Sequence, residues 1–116
     1  MFFYMIEDPS SINEVDERKV EVEGHDLESL LYNFMSDWLF EFQGEGYFIP
    51  KRIVIDKFEK KTGSEEKFHI ISRGFGEAYD REKMGCGTDV KAITYSNMQI
   101  NQMPTGQTEI YIIIDI

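Results

Sequence analysis

Cysteine is nearly absent: Cys86 is the only one among 116 residues. An internal disulfide is therefore excluded, and a zinc site would lack its usual thiolate pairs. A chain of this kind belongs in a reducing compartment. Basic residues are also scarce, with 12 Lys and Arg against 22 Asp and Glu, a formal charge of −10. Nucleic-acid surfaces draw most of their affinity from Lys and Arg that displace counterions at phosphates. Here the basic residues are scattered. Lys57, Lys60 and Lys61 stand together, but Asp56, Glu59, Glu65 and Glu66 surround them. Direct nucleic-acid binding is thus disfavoured, and a basic protein partner or a divalent cation suits the charge better. Long apolar runs are missing too. Met1–Ile6 stops at Glu7-Asp8-Pro9, and Ile110–Ile114 is far too short to cross a bilayer. A cytoplasmic or nuclear, non-secreted and non-membrane protein is expected. No repeat, linker or low-complexity stretch divides residues 1–116, which are expected to form one domain.

What is present is apolar matter for a core: 41% hydrophobic residues, with nine Phe, six Tyr and one Trp. The firmest pattern starts at Asp26, a good helix N-cap with Glu28 in the first turn. Behind it Leu27, Leu30, Leu31, Phe34, Met35, Trp38, Leu39 and Phe42 repeat at helical spacing up to Gly44-Glu45-Gly46. This predicts an amphipathic helix over about 26–43. The opening six residues read as the last turns of a helix stopped by Pro9, and Ser10–Glu17 as loop. Arg18–Glu23 alternates and reads as a strand ended by Gly24. Further strands are expected at Ile53–Phe58, at Phe68–Arg73 breaking at Gly74-Phe75-Gly76, from Thr88 to about Ile100, and at Glu109–Ile116. Lys60–Ser64 and Met103–Gly106 read as turns. The last strand is almost wholly apolar, so it is expected to be buried on both faces in mid-sheet. One helix packed on one face of a mostly antiparallel sheet of about five strands makes an α+β fold.

The chain closes Ile112-Ile113-Ile114-Asp115-Ile116. An aspartate ending a buried strand, one residue from the α-carboxylate, brings two negative groups to one spot. They raise each other's pKa unless a cation lies between them, and hard oxygen ligands suit Ca²⁺ or Mg²⁺. A frayed terminus with both carboxylates in water is the plainer alternative. In Gly87–Ile100, Lys91 is an ammonium among apolar and β-branched neighbours; it either snorkels outward or faces an acidic site or a phosphate. His25 beside the helix cap and His69, expected to face solvent, read as unspecialised. Cys86 between two glycines reads as an inert thiol.

The run GTDVKAITYSNMQI over residues 87–100 resembles the archease run G-T-E-V-K-A-I-T-Y-S-x-M-Q, and the ending IIDI resembles that family's -VIVDI. Leu30-Leu31 through Ser36-Asp37-Trp38-Leu39, Phe48-Ile49-Pro50 and Gly74-Phe75-Gly76-Glu77 echo it more weakly. The resemblance extends from about Val20 to Ile116. It implies a non-catalytic accessory protein that activates an RtcB-type tRNA-splicing ligase, promoting its guanylylation and repeated turnover. It also implies a divalent metal, Ca²⁺ before Mg²⁺, held in part by Asp115 and the terminal carboxylate of Ile116. Lys91 matches a lysine suited to contact the ligase or its nucleotide, and Asp37 an acidic helix position. The family's N-terminal D-H-T-A-D motif has no counterpart here, so the chain reads as N-terminally short and one metal ligand as missing. The loop before Gly87-Thr88 also departs from the family, carrying Lys83-Met84 in place of a Lys-His pair. The sheet edge left open by a missing first strand could pair two copies into a homodimer. Competing readings are a metal-dependent hydrolase or transferase, with Asp37, His69 or Cys86 as its only candidate nucleophiles or bases, and an inactive truncated archease.

Overall fold

The computed structural model describes residues 1–44, 46–61 and 67–116. Its α+β architecture has one main helix and antiparallel strands in three small sheets. Strand β1 (Asp16–Gly24) leads into helix α1 (Leu27–Gln43), then β2 (Phe48–Lys61) and β3 (Lys67–Ala78). A single-turn helix α2 (Arg81–Met84) follows, and then β4 (Ala92–Ile93), β5 (Gln99–Gln102), β6 (Thr108–Tyr111) and β7 (Ile114–Asp115). β3 is the central strand of a sheet ordered β1-β3-β2, antiparallel on both sides. β4 pairs with β7 and β5 with β6, also antiparallel.

Helix α1 begins and ends almost where its sequence pattern does. The Asp26 carboxylate accepts from the Ser29 N–H at 2.7 Å, and the Ser29 hydroxyl accepts from the Asp26 N–H at 3.2 Å. This reciprocal cap satisfies two backbone donors that a helix start would leave orphaned. At the other end the Gly44 N–H bonds to Phe40 O at 2.8 Å. Leu30, Trp38 and Leu39 are buried on the sheet side. There they join Val20, Val22, Phe48, Ile49, Ile70, Val90 and Ile93 in one core.

Trp38 fixes how α1 meets the sheet. Its ring lies so close to β3 that a Cβ on Gly74 would come within 2.5 Å of it. Its indole N–H donates to the Ser72 hydroxyl at 3.2 Å, and that hydroxyl donates to Val20 O at 3.0 Å. Gly76 has the same role beside β2, where a Cβ would stand 2.0 Å from Ile49 O. These two glycines explain why β3 does not break at Gly74-Phe75-Gly76 as expected. They are places of close approach within a continuous strand.

Several other expectations are corrected. The N-terminal residues form a 3-10 turn at Phe2–Tyr4, with Phe2, Met5 and Ile6 buried. A second 3-10 turn, Pro9–Ser11, precedes a strand that already starts at Asp16. β2 runs well beyond Ile53–Phe58, and of the expected turn at Lys60–Ser64 the last three residues lie outside those described. The long strand at Thr88–Ile100 is two short strands. Asn97, at a positive φ of 53°, turns the chain between them. The turn at Met103–Gly106 is present, closed by Gly106 N–H to Met103 O at 3.0 Å with Gly106 at φ 87°.

The closing run is not a doubly buried central strand either. It is split into β6 and β7, each a member of a two-stranded ladder. Ile112 and Ile114 pack against the core, while Ile110, Ile113 and Ile116 are exposed. The alternation is ordinary, but isoleucine on both faces conceals it from a reading of composition.

Between the first half of α1, β2 and the β5–β6 ladder lies an apolar cavity of about 260 Å³, lined among others by Leu27, Leu31, Phe34, Phe58 and Ile110. No helix among the described residues is long and apolar enough to cross a membrane. Replacing Ser72 with Ala would leave the buried Trp38 indole N–H without its acceptor. The expected loss is about 1–3 kcal/mol, read as a lower urea midpoint at unchanged slope. An unchanged midpoint would remove the relay from the account of the core.

Candidate functional site

Lys91 and Asp115 come from segments twenty-four positions apart in sequence, and the β4–β7 ladder joins them. Lys91 N–H donates to Asp115 O at 2.7 Å, and Thr94 closes the other end of the ladder. Its N–H lies 3.2 Å and its hydroxyl 2.8 Å from Ile113 O. The register pairs Ala92 with Asp115 and Ile93 with Ile114. Ile93 and Val90 are buried, whereas Lys91 and Ala92 are exposed. The core therefore anchors the backbone on both sides of Lys91 and leaves its ammonium in solvent. That is the outward alternative for this lysine.

Asp115 and Ile116 are exposed as well. The expectation of a carboxylate stranded at a buried strand end is thus corrected, and with it goes the desolvation argument for a compensating cation. Among the described residues, no group of three His, Cys, Asp or Glu side chains gathers closely enough to hold a metal ion. Asp115 and the Ile116 carboxylate would offer two ligand groups, where Ca²⁺ takes about six to eight oxygens. Further oxygen ligands would have to complete a calcium site at these two residues.

Asp37 stands elsewhere. It lies one turn from Asn33, whose amide donates to Glu23 O at 2.7 Å. It lies one turn from Glu41 on the other side, which pairs with Arg18 at 3.4 Å. These contacts put the Asn33-Asp37-Glu41 row along β1, whereas Gln43 at the end of α1 reaches Lys91 O at 2.9 Å. Asp37 is itself exposed, yet desolvation by the chain packed around it raises its carboxyl above its ordinary pKa.

His69 is the clearest misplacement by sequence reading: it is buried, not solvent-facing. In central β3 it lies opposite Glu23 of β1 and Glu59 of β2. Its Nε2 is 2.6 Å from Glu21 Oε1 and its Nδ1 3.8 Å from Glu59 Oε2. Neighbouring strands on both sides shelter a ring that a lone alternating strand would expose. Further along β3, Arg73 holds Asp56 through two bonds of 2.6 and 2.8 Å and reaches Glu17 at 3.3 Å. That guanidinium keeps the Asp56 carboxyl below its ordinary range. His25 is exposed beside Asp26, 3.3 Å from its carboxylate. Cys86 is exposed in the turn after α2. Asp37, His69 and Cys86 lie on three different elements, and among the described residues none is hydrogen-bonded or ion-paired to Asp115. The arrangement presents an exposed cation and an exposed carboxylate on a fixed backbone, which suits contact with another molecule.

Sequence reasoning missed two residues that hold this corner. One is Gln43. The other is Tyr32, whose ring stacks on Tyr95 at 4.2 Å and 12°. Neither carries a signal beyond its position on the helix.

The family model of the archease protein family matches residues 1–116. The chain is 44% identical over 116 residues to Protein archease of Danio rerio, covering all of this chain and 67% of that protein. It is 42% identical over 118 residues to Protein archease-like of Drosophila melanogaster, covering all of this chain and 71% of that one. With Protein archease of Pyrococcus abyssi, identity is 37% over 115 residues, 98% of this chain and 77% of the relative.

The folded chain takes up the Asp37 proton more readily than the unfolded chain, so the carboxyl costs stability when ionised and the cost fades as pH falls through the folded pKa. Asp37→Asn is expected to raise the melting temperature at pH 7 only slightly, since solvent screens an exposed carboxylate, with the gap to the parent closing in acid. A mutant less stable at pH 7 would show that the carboxylate is stabilised where it stands.

Proposed function

Because this chain belongs to the archease family, we propose that it is a non-catalytic accessory protein of an RNA ligase. More specifically, it activates an RtcB-type tRNA-splicing ligase by promoting its guanylylation and repeated turnover. The observation that carries this reading is the exposed Lys91–Asp115 pair, held by a 2.7 Å backbone bond and free of ion pairs among the described residues. An ammonium and a carboxylate fixed in this way present both signs of charge to a partner at little ordering cost. The formal charge of −10 favours a basic protein surface as that partner over RNA itself. The dispersal of Asp37, His69 and Cys86 also favours an accessory role, since a hydrolase or transferase needs its nucleophile and base side by side.

A divalent cation, Ca²⁺ before Mg²⁺, belongs to this proposal only as a shared ligand. Asp115 and the Ile116 carboxylate would supply two groups, and the remaining ligands would come from outside the described residues. The cytoplasm or nucleus is the compartment in which such a partner would be met.

The test is ligase turnover in the presence of substoichiometric amounts of this protein. The parent chain is expected to raise the rate of repeated turnover. Asp115→Ala and Lys91→Ala are each expected to lower the stimulated rate by about tenfold, equivalent to about 1.4 kcal/mol. Full stimulation by both mutants would defeat the proposed role of this pair. Nucleotide turnover by the protein alone would instead make it an enzyme.

A further inference from the structure

Helix α1 grips the Lys91 segment at two points. Near its start Tyr32 stacks on Tyr95, and at its last residue the Gln43 side-chain amide donates to Lys91 O at 2.9 Å, with Val90 O at 3.5 Å. The two grips are eleven residues apart, roughly 16 Å along a helix axis. Lys91 N–H continues the line to Asp115 O at 2.7 Å. One peptide segment therefore receives a bond from α1 on its carbonyl side and gives one to β7 on its amide side. Val90 and Ile93 are buried and hold the backbone on either side, whereas Lys91 and Ala92 between them are exposed. Gln43 adds a side-chain bond to the exposed carbonyl between those two anchors.

We infer that Gln43 is a positioning residue for Lys91 and Asp115, fixing the backbone from which the proposed ligase-contacting pair projects; this rests on the function proposed above. The chemistry requires a donor of glutamine's reach. A carbonyl oxygen accepts, so an amide N–H or a guanidinium can take this place, while a thioether of the same length cannot. The bond is exposed, so its loss would be felt locally and not across the core. Its functional effect would be to let the pair wander before binding, which weakens encounter more than it alters the bound state.

The test compares Gln43→Met with Gln43→Arg, using amide exchange by NMR and ligase stimulation in parallel. In Gln43→Met, exchange at the Lys91 N–H is expected to quicken about three- to tenfold. The amides of Val20 and Val22 should keep their parental rates. The concentration for half-maximal ligase stimulation should rise in similar proportion while the plateau rate is kept. Gln43→Arg should restore both. Unchanged Lys91 exchange in Gln43→Met would overturn the inference whatever the ligase does. Faster exchange with unaltered half-maximal concentration would overturn its functional part. If Lys91→Ala and Asp115→Ala themselves stimulate fully, it is the proposed function that falls, and the exchange rates still decide whether Gln43 positions the segment.

Discussion

The structure depends first on the contact between Trp38 and β3. An indole that lies against Gly74, with its N–H tied to Ser72 and through Ser72 to Val20, sets the height and rotation of α1 on the sheet. Both halves of the contact are needed. Gly74 removes the Cβ that would hold the ring away, and Ser72 removes the cost of burying an unpaired donor. Since a helix is stiff over this length, fixing it at Trp38 also fixes its end at Gln43. Lys91 is thus placed both by its buried neighbours Val90 and Ile93 and by Gln43 at the end of α1, and Asp115 follows through the β4–β7 ladder.

This chain of dependence explains why parts of the fold were legible in sequence and parts were not. α1 could be read almost to the residue because its signals are local: a capping Asp26, apolar residues at helical spacing, and glycine beyond its end. β1 was legible from simple alternation. β3 was read as broken because glycine in isolation signals a turn, and only the partner across the gap, Trp38 or Ile49, shows that it permits contact. His69 was misread for a related reason. Exposure on a strand depends on the neighbours it acquires, and Glu21, the nearer of its two carboxylates, lies forty-eight positions away in sequence. The closing strand was read as buried since isoleucine on both faces looks like a core run. The isoleucines on its outer face, Ile110, Ile113 and Ile116, stay about half exposed.

The site divides in the same way. Resemblance to a family singles out Lys91 and Asp115, and the structure places them side by side through the β4–β7 ladder. A buried Asp115 would call for a cation, but the fold leaves its carboxylate exposed. Gln43 could not be read at all. A glutamine at a helix end is common, and what makes this one particular is a carbonyl forty-eight positions away in sequence.

The central claim is that the corner where the end of α1 meets β4 and β7 is the surface turned toward the ligase. Backbone-amide protection on mixing the two proteins tests it most directly, because it requires no substitution. The account predicts new protection concentrated in residues 90–95 and 113–116, with the outer face of the β1-β3-β2 sheet around His69 and Arg73 unchanged. Protection confined to that outer face, with residues 90–95 and 113–116 exchanging as in the free protein, would contradict it.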